Sequence, residues 1–314
     1  MLFPETTNVA DRDHHRPTWE PVVPTYSIWL LEYAYVPSAP AGGVVYGDFA
    51  GPDRKLPYAY ILIKGPGVLA MVDVGYNHRD YGAEMAVRFG VAGWQSPAAV
   101  LAEVGVRPEE VGQVFLTHAH FDHAGNTDAF PKATFYLQER ELSKWLWAQS
   151  LDKKFRWLLK ATDPSDIMRI AELARQGRLV AVDGDREDVL PGIDLRAAHD
   201  THTWGSQFVT IRNDGQHNSQ DAWVMAGDLV YSYDNIRGDD PDQPSYIPIG
   251  LAQGDQCNLL LATDAMMQVV GGEMRRVIPV HEDALASGFP HRITDKGLKI
   301  VELALADGEA SRVA

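Results

Sequence analysis

Short apolar runs dominate the first quarter of the chain. Tyr26-Ser27-Ile28-Trp29-Leu30-Leu31, Tyr58-Ala59-Tyr60-Ile61-Leu62-Ile63 and Val68-Leu69-Ala70-Met71-Val72-Asp73 are the length of strands and rich in β-branched and aromatic residues. Lys64-Gly65-Pro66-Gly67 is turn chemistry, so the last two predict a hairpin. The period then changes. Ser96-Pro97-Ala98-Ala99-Val100-Leu101-Ala102-Glu103 predicts a helix with a serine N-cap, proline in the first turn and Gly105 as its stop. One more strand ends in Val114-Phe115-Leu116. From Gln138 to about Gln176 the pattern predicts two or three helices, carrying Trp145, Trp147 and Trp157.

Strands return at Leu179–Val182, Ile193–Arg196, Phe208–Ile211 and Ala222–Ala226. A helix from about Gln256 to Val270 and a strand at Arg276–Val280 follow. Strands, helices and strands again, with no internal repeat, predict an α/β fold of two sheets flanked by helices. The stretch from Arg237 to Gly254 is rich in Gly, Pro and Asp and predicts a long loop, a kind that is commonly functional. Residues 1–24, with Pro17, Pro21 and Pro24, predict an extended arm lying over the domain or over a second copy in a homodimer. Residues 25–314 then form one domain.

Composition narrows the classes. At 314 residues the chain can bury roughly three quarters of its unfolded surface. The net charge of −15 repels phosphate backbones and argues against nucleic acid as a partner. The single cysteine, Cys257, excludes an intrachain disulfide and a Cys-rich zinc site; its apolar surroundings predict a small buried core residue. The N-terminus lacks the basic and apolar regions of a signal peptide, and no apolar run approaches the roughly 20 residues that cross a bilayer. The expectation is a soluble cytoplasmic protein with no membrane partner.

The chemistry is concentrated in His118-Ala119-His120-Phe121-Asp122-His123. Four metal-competent side chains fall within six residues, directly after a strand, in a chain with only 11 histidines. In extended chain His118, His120 and Asp122 face one way and His123 the other. A sharp turn at Asp122 would present ligands to two ions. Further donors stand at strand ends downstream: His202 in His202-Thr203-Trp204-Gly205-Ser206, Asp228 in Ala226-Gly227-Asp228-Leu229, and His281 in Pro279-Val280-His281-Glu282. His199 competes with His202, and the residues that follow favour His202. His14, His15, His217 and His291 read as non-ligands.

This ordered series, H-x-H-x-D-H, H-T-x-G-S, G-D and a late histidine, resembles the metallo-β-lactamase superfamily over residues from about 58 to about 282. Asp73-Val74-Gly75 is similar to its D-x-G turn. The resemblance implies a four-layer αβ/βα sandwich, here with a helical insert, and a dinuclear site along one edge. It implies that His118, His120 and His202 hold one metal, that Asp122, His123 and His281 hold the other, and that Asp228 bridges both with a water-derived hydroxide. Asp73 would be a structural support. Thr201 stands where the family has glycine and Trp204 where it has proline, which implies a reshaped, more aromatic pocket wall.

Two ions roughly 3.5–4 Å apart lower the pKa of a shared water toward about 7, enough for hydrolysis without a Ser or Cys nucleophile. Asp122 is placed to accept or relay a proton. Asp228-Leu229-Val230-Tyr231, with Asn235 beyond, is similar to the N-acyl-homoserine-lactone lactonase (quorum-quenching) branch. That likeness implies that Tyr231 hydrogen-bonds the lactone carbonyl and its oxyanion. The expected activity is lactone hydrolysis by attack of the metal-bridging hydroxide, on an acyl homoserine lactone or a pyrone-like lactone of aromatic catabolism. Trp204, the three insert tryptophans and Tyr246 would line an aromatic pocket, with Arg237 or Arg292 holding a carboxylate. A phosphotriesterase would use the same ligands, and a thioesterase fits the first motif. A flavin-linked oxidoreductase is disfavoured by His120, and a non-enzymatic metal module, which needs no water site, is excluded if the apo form regains hydrolytic turnover on adding metal. The metals are expected to be Zn²⁺, though Fe²⁺, Mn²⁺ and Co²⁺ accept the same donors.

Overall fold

The computed structural model describes residues 26–238, 240 and 242–314. The arm expected over residues 1–24, His14 and His15 included, lies outside the described residues. The strands are β1 (Ser27–Ala39), β2 (Arg54–Gly65), β3 (Val68–Val72), β4 (Gln113–Phe115), β5 (Thr134–Gln138), β6 (Leu179–Val182), β7 (Arg186–Leu190), β8 (Ile193–His199), β9 (Gly205–Arg212), β10 (Ala222–Gly227), β11 (Val277–Pro279), β12 (His291–Ile293) and β13 (Lys299–Ala304). The helices are α1 (Ala41–Val44), α2 (Asp80–Phe89), α3 (Pro97–Ala102), α4 (Phe121–Ala124), α5 (Glu139–Gln149), α6 (Pro164–Arg175), α7 (Asp234–Arg237) and α8 (Gln256–Val269).

One sheet runs β12-β13-β1-β2-β3-β4-β5-β6 and the other β11-β10-β9-β8-β7. The expected hairpin pairs β2 with β3, Ile61 opposite Val72 and Gly65 opposite Val68. From β3 to β6 the first sheet is parallel. Crossovers of the helical segments supply that parallelism. Alternation along β1 explains its apolar run: Ile28 and Leu30 face the second sheet, while Trp29, Leu31 and Tyr33 face the outer helices. On that outer side Met85 of α2, Val100 and Leu101 of α3 and Trp145 of α5 are buried. On the far side α8 inserts Leu259, Ala262 and Met266 at helical spacing. Helices, two sheets and helices make the four-layer α/β sandwich.

Several expectations change. Cys257 is exposed and not core, because on α8 it stands about two hundred degrees from Leu259 and away from the buried Ala262 and Met266. α2, β5, β7, β12 and β13 were not anticipated. The last two bring the chain back onto β1, Leu30 pairing Val301. Among the described residues no helix is long and apolar enough to cross a membrane.

Candidate metal centre and pocket

β4 ends at Phe115, and the chain leaves the sheet through Thr117 and His118. The turn comes at His120 and not at Asp122. His120 is the N-cap of α4, and its carbonyl accepts from the N–H groups of His123 (3.1 Å) and Ala124 (3.0 Å). That single helical turn swings Asp122 and His123 away from His118 and His120. His202 lies between β8 and β9, Asp228 follows β10, and His281 follows β11 closely. Gly227 has a left-handed φ of 54°, and a Cβ there would sit 2.7 Å from Thr117. Glycine is what lets β10 deliver Asp228 against the first motif.

The structure brings all seven expected ligand residues together in two groups. Donor atoms of His118, His120, His202 and Asp228 lie within 4.8 Å of one another, and so do those of Asp122, His123 and His281. Asp228 faces both. Its Oδ2 is 3.2 Å from His202 Nε2 and 3.7 Å from His118 Nε2; its Oδ1 is 3.0 Å from both His123 Nε2 and His281 Nε2. His120 Nδ1 is 2.8 Å from His202 Nε2. The outward nitrogens are tied down. His118 Nδ1 meets Thr117 Oγ1 (3.0 Å), His123 Nδ1 meets Asp73 Oδ2 (2.7 Å), His202 Nδ1 meets the Leu251 carbonyl (2.7 Å) and His281 Nδ1 meets the Pro57 carbonyl (2.6 Å). Such outer partners fix imidazole orientation for metal binding. The inward His118 Nε2 and His120 Nε2 are buried with no hydrogen-bond partner. Buried polar atoms are rarely left so. A donor set of imidazoles and carboxylates fits Zn²⁺ or a similar ion.

Electrostatics agree. Burial, then the neighbouring His123, push His118 well below the usual histidine range; burial and His202 do the same to His120. Burial also opposes charge on His123 and His281, but Asp228 and its neighbouring carboxylates outweigh it and raise both. Against burial, His123 and His281 hold Asp228 well below the carboxylate range, while burial raises Asp122. Two raised histidines therefore face one lowered carboxylate. Metal binding at such a site competes with protons for the same donor atoms.

Asp73 donates nothing and accepts three bonds, from Thr117 N (2.7 Å), Thr117 Oγ1 (2.8 Å) and His123, as a supporting carboxylate would. Tyr33 Oη donates to the Asp122 carbonyl at 2.6 Å. His199 turns away, its Nε2 3.1 Å from Gln138 Oε1. Asn235 steadies the segment after Asp228 by accepting from Tyr231 N (3.1 Å) and Ser232 N (2.9 Å).

A cavity of about 270 Å³ opens onto these residues, and its walls include Val36, Leu56, Phe89, Phe121, Trp157 and Leu251. Tyr231 lines it, buried, with its ring centroid 4.9 Å from that of His281 and 5.9 Å from that of His202. Burial, then Asp228, raise its phenol well above the usual range, so it remains a donor. Tyr58 also lines the cavity, 5.3 Å ring to ring from His281, and was not singled out from sequence. Lys160 and Gln253 were missed as well.

The expected aromatic wall is corrected. Of the insert tryptophans only Trp157 lines the cavity. Trp204 packs on Trp145 and Trp147 instead. Tyr246 reaches Asp264, Arg237 pairs with Asp234, and Arg292 pairs with Glu103. Each of these side chains found a nearer partner on its own side of the fold.

Comparisons with known proteins follow the same lines. No curated protein matches the sequence significantly. Among solved structures, a quorum-quenching N-acyl homoserine lactone lactonase is similar with a TM-score of 0.61 at 17% identity, over 85% of this chain and 96% of that one. AidC, a dizinc quorum-quenching lactonase in complex with a product, is similar with a TM-score of 0.57 at 16% identity, over 91% and 99%. AbOPH, a hydrolase in the β-lactamase superfamily, gives 0.61 at 18%, over 92% and 100%. At these identities the likenesses speak for the fold. The family model of the metallo-β-lactamase superfamily matches residues 54–272, well over half of the chain. The chain belongs to the metallo-β-lactamase superfamily.

Proposed function

We propose that this protein is a dinuclear metal-dependent hydrolase that opens a lactone ring. His118, His120 and His202 would hold one ion, Asp122, His123 and His281 the other, and Asp228 both. When bound, such a pair supplies water activated at neutral pH and a Lewis acid for the carbonyl. The observation that carries the reading is Asp228, whose two carboxylate oxygens each face a different histidine group beneath one cavity.

The chain's own residues do the remainder. Tyr231 lines the cavity as a neutral phenol and donates a hydrogen bond to the oxygen on which charge develops. Asp122, beside the second ion, is placed to accept or relay a proton as the tetrahedral intermediate collapses. The apolar walls exclude water and receive an acyl chain or a flat ring. Support for the lactonase branch is the Asp228-to-Tyr231 spacing and the structural likeness to proteins described as lactonases. Zn²⁺ suits the donors, and AidC is described as dizinc.

A panel of acyl homoserine lactones, pyrone-like lactones, organophosphates and thioesters, followed by pH change or thiol release, tests the reading. Turnover of lactones above the rest is expected. Turnover confined to organophosphates or thioesters would refute it.

A further inference from the structure

Glu141 stands in the first turn of α5 with no solvent exposure. Burying a carboxylate costs several kcal/mol unless its oxygens are satisfied. Four donors satisfy this one. Oε1 accepts from the backbone N–H of Ala119 at 2.9 Å and from the Trp145 indole at 2.7 Å. Oε2 accepts from the Thr203 hydroxyl at 2.7 Å and from the backbone N–H of Gly205 at 2.8 Å. Among the described residues no Lys, Arg or His forms an ion pair with it.

The identity of the four donors is what matters. Ala119 lies between His118 and His120. Thr203 follows His202, and Gly205 opens β9. One carboxylate therefore grips both loops that carry the first histidine group, with one oxygen on each. Gly205 packs directly on the Glu141 backbone, where a Cβ would collide. Trp145, the fourth donor, is itself 5.6 Å ring to ring from His120.

We infer that Glu141 is a positioning residue for His118, His120 and His202, setting the gap between their two loops so that the three imidazoles converge. Asp73 fills the matching role for His123. Glu141 touches neither ion nor substrate. The inference rests on the metal reading of this histidine group given above. Glutamine would keep the size but point an NH₂ at two other donors, and aspartate would fall a methylene short.

Zn²⁺ affinity decides it, measured on metal-free protein by competition with a chromophoric chelator. Glu141→Gln is expected to weaken the first site about 10- to 100-fold and to leave the second unchanged. In a His120→Ala background, which isolates the second site, adding Glu141→Gln should change nothing. A residue that merely supported the fold would lower both affinities together. If Glu141→Gln does not fold, Trp145→Phe and Thr203→Val, each removing one donor, should each weaken the first site severalfold. Wild-type affinity at both sites in the folded Gln variant, or in both single-donor variants, overturns the inference, as does equal loss at both sites. Wild-type protein that takes up no Zn²⁺ overturns the metal reading itself, and is seen before any variant is made.

Discussion

Replacing Tyr231 with phenylalanine isolates one oxygen atom. The side chain is 5% exposed and its ring packs between His202 and His281, so phenylalanine fills the same space and leaves no void. The stability cost should stay near the worth of one hydrogen bond, about 1 kcal/mol or less. Burial and Asp228 keep the phenol protonated, so what is lost is a donor and not a charge. Removing one donor aimed at an oxyanion costs up to about a thousandfold in kcat; a phenol that also contacts the ground-state carbonyl gives the lower end, about tenfold. Those bounds equal about 1.4 to 4 kcal/mol of barrier. KM should move less than kcat, because the bond strengthens as charge develops. The assay is steady-state lactone hydrolysis in a pH-stat, with elemental analysis of the same sample. Organophosphate turnover, if any, should fall less. Unchanged lactone kcat in the metal-loaded phenylalanine variant would refute the oxyanion role and with it the main residue-level argument for a lactone.

Other consequences can be measured alongside. His202→Ala should remove metal and most activity, while His199→Ala should leave metal content nearly intact; the opposite result would show that the wrong imidazole was chosen. Gly227→Ala should cost about 1–2 kcal/mol through its left-handed φ and more through contact with Thr117, read by urea unfolding; a neutral effect would contradict the close approach of β10 to the first motif. Burial, then Asp163, push the Asp166 carboxyl up to about 8, so the folded state retains a proton that the unfolded chain releases from about pH 4. Stability should therefore decline as pH rises from about 4 to 8, by up to about 5 kcal/mol, and Asp166→Asn should flatten that decline. Parallel pH curves for variant and wild type would contradict it.

The parts of this account legible in the sequence share a property: their meaning is local. His118 to His123 are neighbours in the chain, and a strand-end histidine or aspartate carries its context with it. Strands whose residues alternate between two buried faces, such as Ser27 to Leu31, announce themselves by apolar content. What escaped is set by tertiary neighbours. Glu141 is one acid among many in a helical insert, and only folding brings Ala119 and Gly205 to its two oxygens. Tyr58 reads as a strand residue; its place beside His281 depends on how β2 and β11 meet in space. The strands β12 and β13 are short and mixed in character; β12 pairs with β13, and the pairing of β13 with β1 spans nearly the whole chain. The expected aromatic wall failed because residue type sets what a side chain can do and not which face it occupies. Trp204 found two other tryptophans, and Cys257 lies on the exposed side of an otherwise apolar helix.

The proposed hydrolysis depends on two ions held by seven protein residues, a dependence that metal titration alongside activity measures. Purified protein should contain about two ions per chain, lose lactone hydrolysis on chelation, and regain it as two equivalents of Zn²⁺ are returned. A stable protein that hydrolyses lactones equally well with one ion or none would contradict it.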